Sequence, residues 1–136
     1  MVPLISSTSI GGIPLKYFIE SAQLDIENIK LRRKTAGTTI ISKKGDTEYG
    51  PSYAISNLIS TIITDSHKVL TVSTYLDGEI ADISDVSLGV PVVLSKKGIA
   101  MIVPIHMNEY ERDKFIEAAE VVREATVDVL NELKED

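Results

Sequence analysis

The sequence contains no cysteine, which excludes disulfide bonds, thiolate nucleophiles and metal sites built on sulfur. It also contains no tryptophan and only two phenylalanines, so the aromatic residues make up just 5% of the chain. Hydrophobic residues nevertheless account for 43% of the 136 positions. The chain is therefore long enough for one domain with a core, and that core must be built from aliphatic side chains.

Long apolar runs and an excess of positive charge are missing too. No apolar segment approaches the ~20 residues that a membrane-spanning helix needs. The first residues also lack the charged start and long apolar middle of a secretory signal. The net charge of −6 argues against a general nucleic-acid binder, which usually presents a basic face. We therefore expect a cytoplasmic protein with no membrane and no nucleic-acid partner.

Two helices are predicted in the first third of the chain, over residues 15–23 and 25–43. Asp25 is a plausible N-cap of the second helix, and Gly45 can adopt the left-handed conformation that ends it. The basic residues of this region are interpreted as the solvated side of the helix, with a phosphate-binding patch as the alternative: Lys30, Arg32, Arg33, Lys34, Lys43 and Lys44.

Two further helices are predicted from their start signals. Pro51, with its fixed φ, suits the first position of the third helix. The fourth runs from Glu109 to Leu133, and Asn108 and Glu111 have the spacing of a capping box. Apolar residues form one stripe along the third helix and predict a buried stripe along the fourth. The stripes consist of Ile55, Leu58, Ile59 and Ile62 in the third helix, and of Phe115, Ala118, Ala119, Val122, Ala125, Val129 and Leu133 in the fourth.

Between these helices the apolar pattern becomes that of strands. Residues 69–76, 86–94 and 99–105 are rich in β-branched side chains, and residues 95–98 read as a hairpin connection. Pro91 cannot donate to a sheet ladder, so we expect a bulge or an edge position there. The order of elements predicts an α+β fold, with helices packed on a twisted antiparallel sheet and a long C-terminal helix.

Most recognisable catalytic and metal-binding patterns are absent. Neither His67 nor His106 has a second ligand at helical spacing, so both are interpreted as surface or capping residues and no metal site is expected. The acidic residues between positions 77 and 85 do not have the spacing of a calcium loop. Residues 9–13 contain glycines but neither the spacing nor the preceding strand of a dinucleotide-binding turn.

Thr47 is the one candidate that local sequence singles out. It lies between the helix-ending Gly45 and the helix-starting Pro51, on a short segment that two helices would hold in place. Its hydroxyl can donate and accept a hydrogen bond. The local pattern alone leaves two interpretations open: a site residue, or a cap or turn residue.

A series of motifs, in chain order, resembles the C-terminal half of the lactate/malate dehydrogenase family. The first residues are similar to the family segment that follows a Gly-Glu-His-Gly-Asp motif. The Gly50-Pro51 pair resembles the archaeal malate dehydrogenases more than the animal lactate dehydrogenases. The remaining motifs are Gly11-Gly12-Ile13-Pro14-Leu15, Lys44-Gly45-Asp46-Thr47, Leu70-Thr71-Val72-Ser73, Tyr75-Leu76-Asp77-Gly78, Gly89-Val90-Pro91, Lys97-Gly98-Ile99 and the helix start at Asn108-Glu109.

The resemblance implies an oxidoreductase of 2-hydroxy acids. In such an enzyme a histidine oriented by an aspartate exchanges a proton with the substrate hydroxyl, an arginine binds the substrate carboxylate, and a hydride passes to or from nicotinamide. None of these groups matches a position of this sequence, so no catalytic residue is assigned. Thr47 matches the position that contacts substrate and nicotinamide, and Pro51 matches the position that packs against the nicotinamide ring.

The resemblance also implies cofactor and partners. The intact enzyme would use NAD or NADP, and none is expected to bind this chain alone. Its partners would be a missing N-terminal Rossmann half, a 2-hydroxy or 2-oxo acid substrate, and further copies in a dimer or tetramer. A malate enzyme would act in the tricarboxylic acid cycle. The sequence does not distinguish malate from lactate or NAD from NADP.

Two hypotheses follow for residues 1–136. The first is the C-terminal catalytic/substrate domain of an NAD(P)-dependent malate or lactate dehydrogenase, inactive by itself. The second is a stand-alone interaction module that has lost catalysis and binds a partner through an exposed apolar face. The intact mass and the genomic sequence upstream of Met1 would discriminate between them.

Overall fold

A computed structural model describes the backbone of residues 2–135 and the side chains of residues 2–133. The elements follow in the order β1 (Ser9–Ile10), β2 (Ile13–Pro14), α1 (Leu15–Ser21), α2 (Ile26–Lys44), α3 (Tyr49–Ile63), β3 (Val69–Asp77), β4 (Ser84–Ser95), β5 (Gly98–Ile102) and α4 (Glu109–Glu135). Strands β3, β4 and β5 form an antiparallel sheet in that order, while β1 and β2 form a separate hairpin. The predicted α+β fold is confirmed.

The core lies on one face of the three-stranded sheet. Alternate residues of β4 are buried because successive side chains of a strand point to opposite faces. Leu76 of β3 and Ala119 of α4 are both 0% exposed and pack into the same cluster. The other buried apolar residues are Ile80, Ile83, Val86, Leu88, Val90, Val92 and Leu94. As the composition predicts, this core is aliphatic.

Pro91 lies in the middle strand, where a proline needs a special position. The β4–β5 ladder begins one residue later, at the pair Val92–Ile102. The Pro91 carbonyl accepts a hydrogen bond from the Val103 amide at 2.9 Å. The register continues to the pair Pro91–Val103, where the proline nitrogen has no hydrogen to return to the Val103 carbonyl, and the β4–β5 ladder ends there. The expected edge position is not found, because β4 is the central strand, and the register shift between β4 and β5 lies at Val93 and Leu94 rather than at Pro91.

Helix α4 begins with the predicted capping box. The Glu111 amide donates to the Asn108 side chain at 2.8 Å, and the Asn108 amide donates to the Glu111 carboxylate at 3.2 Å. The predicted stripe is only partly buried, since Val129 and Leu133 are 54% and 68% exposed. That part of the prediction is wrong because the sheet buries the helix only as far as its third turn.

Helix α3 begins earlier than predicted, and its apolar stripe is only half covered. It begins at Tyr49, so Pro51 is its third residue. A first-turn proline still costs nothing, because the amides of that turn have no partner within the helix. Ile55 and Ile59 are 59% and 48% exposed, whereas Thr61 is 1% exposed. The apolar stripe is thus exposed at these two residues, while Leu58 and Ile62 are half-buried and Leu58 packs against the core. The buried hydroxyl of Thr61 donates to the Asn57 carbonyl at 2.8 Å.

Helix α2 forms as predicted despite its β-branched residues. Asp25 caps it by accepting a hydrogen bond from the Asn28 amide at 2.9 Å. The hydroxyls of Thr38 and Thr39 both donate to the Thr35 carbonyl, at 2.9 and 2.8 Å. These hydrogen bonds satisfy hydroxyl groups that could otherwise bond to the backbone in non-helical conformations. Within residues 2–135, no helix is both long and apolar enough to cross a bilayer.

Candidate functional site

The segment between α2 and α3, residues 45–48, is called the Thr47 loop below. It starts at Gly45, whose φ of 88° lies in the region that favours glycine. The Gly45 amide donates to the Ile41 carbonyl at 2.7 Å and so closes the last turn of α2. Lys43 and Lys44 lie in that turn, where positive charge complements the helix dipole. The sequence prediction for this helix end is confirmed.

Contacts between the two helices hold the ends of the Thr47 loop close together. The Lys44 ammonium lies 4.4 Å from the centre of the Tyr49 ring, a cation–π contact across the loop. On the α3 side, the amide and hydroxyl of Ser52 donate to the Glu48 carbonyl at 3.0 and 2.8 Å. Only four residues therefore separate the last turn of α2 from the first turn of α3, so Thr47 lies on a short segment between two helix ends.

The hydroxyl of Thr47 is not a helix cap. Glu48 holds the N-cap position of α3, and no side chain caps this helix. Thr47 is exposed, and its hydroxyl has no hydrogen-bond partner among the side chains that the structure describes. The amides of Tyr49 and Gly50 receive no side-chain cap either, and they lie at the positive end of the α3 dipole. Together these groups can donate hydrogen bonds to an anionic oxygen such as a carboxylate.

Pro51 lies in the first turn of α3, four residues after Thr47, and its ring is exposed. It adds an apolar surface next to the polar donors of the Thr47 loop. The two histidines lie elsewhere. His67 follows α3 and contacts the Asp65 carboxylate at 3.3 Å, and His106 is exposed between β5 and α4. Residues 2–133 hold no group of three or more metal-ligating side chains.

Two open grooves lie on other parts of the surface. One has a volume of about 240 Å³ and lies between the N-terminal segment and the start of α2. The other, of about 220 Å³, lies between α3 and β3. Neither is bounded by Thr47 or Pro51. The Thr47 loop is therefore an open surface, which could form one wall of a cleft but not a closed site.

The sequence did not reveal a buried polar contact between the two ends of the chain. The Glu111 carboxylate, in a residue only 3% exposed, accepts hydrogen bonds from both the amide and the hydroxyl of Ser6. Burial raises the pKa of Glu111, but the hydrogen bonds that Ser6 and Asn108 donate outweigh it, so this pKa lies below the usual glutamate value. The capping-box spacing indicated Glu111, but nothing indicated Ser6, 105 residues away.

Gly45→Ala tests whether the start of the Thr47 loop needs its left-handed residue. A methyl group at Gly45 would contact nothing within 4 Å, so the expected loss of about 1–2 kcal/mol comes from backbone strain alone. Gly37→Ala in the middle of α2 is the control, because it has equal room and an ordinary φ. It should stabilise the helix by roughly 0.5–1 kcal/mol. Native-state hydrogen exchange of α2 measures both changes in stability. If the two substitutions both stabilise or both destabilise the helix, Gly45 does not require its left-handed conformation as described.

Comparison with known proteins shows what the whole chain is similar to. Residues 1–133 match the family model for the lactate/malate dehydrogenase, alpha/beta C-terminal domain. The malate dehydrogenase of Methanosphaera stadtmanae is 58% identical over 129 residues, which cover 95% of this chain and 41% of that protein. The L-2-hydroxycarboxylate dehydrogenase (NAD(P)(+)) of Methanocaldococcus jannaschii is 41% identical over 131 residues, covering 96% and 42%.

Solved structures show the same relationship. The malate dehydrogenase of Salinibacter ruber superimposes with a TM-score of 0.86 at 32% identity, over 99% of this chain and 43% of that one. The Cryptosporidium parvum malate dehydrogenase gives the same TM-score at 30% identity, over 95% and 42%. The chain thus spans about two fifths of the length of the relatives that it matches.

Proposed function

Because the chain belongs to the lactate/malate dehydrogenase family, with residues 1–133 matching its alpha/beta C-terminal domain, we propose that it forms one wall of the active site of an NAD(P)-dependent dehydrogenase. The substrate would be a 2-hydroxy acid, with malate favoured over lactate. Residues 1–136 would form the substrate domain of that enzyme. The observation that carries the proposal is the exposed hydroxyl of Thr47, which lies between two helix ends and does not cap α3.

The chemistry of the Thr47 loop suits such a substrate. A 2-hydroxy acid presents a carboxylate and a hydroxyl, and the donors beside Thr47 are suited to an anionic oxygen. The Thr47 hydroxyl would bind substrate and nicotinamide, and Pro51 would pack against the nicotinamide ring. These residues would orient the reactants and take no proton, so the acid–base group and the hydride carrier would be supplied by other residues and by the cofactor.

The described residues could contact a dinucleotide at one end only. Within residues 2–135, no strand runs into a glycine-rich turn followed by a helix, which is the arrangement that binds the pyrophosphate. Thr47 and Pro51 would therefore meet the nicotinamide alone, and the affinity for NAD or NADP would come from a Rossmann half. A cytoplasmic location, a place in the tricarboxylic acid cycle and assembly into a dimer or tetramer belong to this proposal.

A second candidate is a protein-interaction module without catalytic activity. It is favoured by the apolar residues that α4 exposes from its middle onward, since such surfaces commonly mark contacts with other proteins. They are Val121, Val127, Val129, Leu130 and Leu133. In the first candidate function, the rest of the dehydrogenase would cover these residues. In the second, a separate protein partner would cover them.

A chimera separates the two candidates. We expect no NADH turnover with oxaloacetate or pyruvate from the 136-residue chain alone. When this chain replaces the matching C-terminal part of the Methanosphaera stadtmanae malate dehydrogenase, oxaloacetate-dependent NADH oxidation should appear. Turnover by the pure chain, or a folded chimera without turnover, would contradict the proposal. The second outcome would favour the interaction module.

A further inference from the structure

Helix α2 is held almost entirely at its N-terminal end. Of its residues, only Ile26 and Lys30 are half-buried, and every side chain from residue 31 to residue 44 is exposed. The helix nevertheless ends at the Thr47 loop, so residues 31–44 act as an arm between its base and that loop. An α-helix is stiff over this length, and 14 residues extend about 21 Å. A small rotation at the base would therefore displace Thr47 substantially.

The base of α2 lies against the N-terminal strap, residues 2–8. Pro3 and Ile5 of the strap, together with Ile26 and Ile29 of α2, line the groove of about 240 Å³ described above. Its walls are almost entirely apolar, so they give cohesion but little directional specificity. The base of α2 and the strap share this apolar surface with Leu15 and Leu24, which precede α2 in the chain.

A clasp between Ser6 and Glu111 fixes the strap. The Ser6 amide donates to one carboxylate oxygen of Glu111 at 2.9 Å, and the Ser6 hydroxyl donates to the other. Glu111 is itself fixed by the capping box with Asn108 and is 3% exposed. Hydrogen bonds to a buried carboxylate are stronger than those between neutral groups, and their geometry is directional. The clasp thus ties the strap to α4, which packs on the sheet.

We propose that Ser6 and Glu111 are positioning residues, which hold the strap against α4 and thereby set the direction of α2 and the place of the Thr47 loop. Neither residue lies next to Thr47 in the chain or lines the Thr47 loop, so both act through the strap and the base of α2. The consequence for substrate contact depends on the proposed function, whereas the coupling from clasp to arm does not.

The test uses the 136-residue chain and two readouts, one distance and the hydrogen exchange of the strap. Because the sequence has no cysteine, Lys43→Cys at the end of the arm and Lys97→Cys on the β4–β5 turn accept spin labels without interference. Double electron–electron resonance then reports how α2 sits relative to the sheet. Hydrogen exchange reports the strap separately. Glu111→Gln removes the charge, Ser6→Ala removes only the hydroxyl, and Ser6→Thr restores it.

In Glu111→Gln, we expect strap amides to exchange at least about tenfold faster, because a charge-assisted hydrogen bond is lost. The distance distribution should broaden or shift. Ser6→Ala should give a smaller change in the same direction, which Ser6→Thr reverses. The matched control is Glu117→Gln, an exposed glutamate of α4 that pairs only with Lys114 and should change neither readout. Urea unfolding confirms that the sheet stays folded in each variant.

Faster strap exchange with an unchanged distance distribution would overturn the proposal, since α2 would then be held by something else. No change in either readout would overturn it as well. If Glu111→Gln fails to fold, Ser6→Ala decides the question alone. No substrate or cofactor is present in these measurements. An inactive chimera would therefore count against the proposed function without affecting this result.

Discussion

Replacing Leu76 with alanine is expected to lower the free energy of unfolding by about 2–5 kcal/mol. Leu76 is 0% exposed and lies in β3 against the buried residues of β4 and the middle of α4. The alanine would leave a cavity lined by residues that the sheet holds in place, so little relaxation can fill it. Because small domains are stable by only about 5–15 kcal/mol, the loss would be a large share of the total.

Urea denaturation measures this effect, and Leu130→Ala serves as the control. Leu130→Ala removes the same atoms from α4, but Leu130 is 50% exposed. The free energy of unfolding should therefore fall by no more than roughly 0.5 kcal/mol. Both variants lose a leucine, so a difference between their free energies of unfolding reports how deeply each leucine is buried. If the two variants unfold at the same urea concentration, the core is not organised around β3 and β4 as described.

Replacing Thr47 with valine in the active chimera should reduce kcat/KM by about tenfold, because one hydrogen bond to a polar or charged ligand group is lost. Valine has nearly the same shape as threonine, and Thr47 is exposed, so the stability should change by less than about 0.5 kcal/mol. Thr39→Val is the matched control. Its hydroxyl donates to the Thr35 carbonyl within α2, away from the loop, and kcat/KM should be unaffected.

The kinetic constants should also show how Thr47 acts. If the hydroxyl binds substrate and transition state equally, KM rises and kcat is unchanged, whereas a contact made only in the transition state lowers kcat. Either result would support a site residue. An unchanged kcat/KM would return Thr47 to the turn interpretation that the local sequence left open.

The local parts of the fold were predictable from the sequence. The capping box of α4, the stop at Gly45 and the two-residue turn before Gly98 each depend on side chains a few positions apart. The start of α3 was missed by two residues because Pro51 is acceptable anywhere in the first turn. The exposed end of the α4 stripe was missed because periodicity shows which face is apolar but not what covers it.

The candidate site was predictable only in part. Local chemistry singled out Thr47 as a hydroxyl between two helix ends, and the structure shows that it is exposed. The ligand came from the family resemblance alone, so the binding role of Thr47 stays a prediction. The Ser6–Glu111 clasp was out of reach, since its partners are separated by 105 residues and each has a plausible local role. Contacts of this kind depend on how elements pack, which no short pattern encodes.

The most direct test of the central claim is a crystal structure of the chimera with NAD and hydroxymalonate, a dicarboxylate analogue of malate. We expect the Thr47 hydroxyl to lie about 2.6–3.2 Å from an oxygen or nitrogen of the bound analogue or of the nicotinamide amide. We also expect Pro51 to pack against the nicotinamide ring. A ligand bound elsewhere, with the Thr47 loop facing solvent, would contradict this claim.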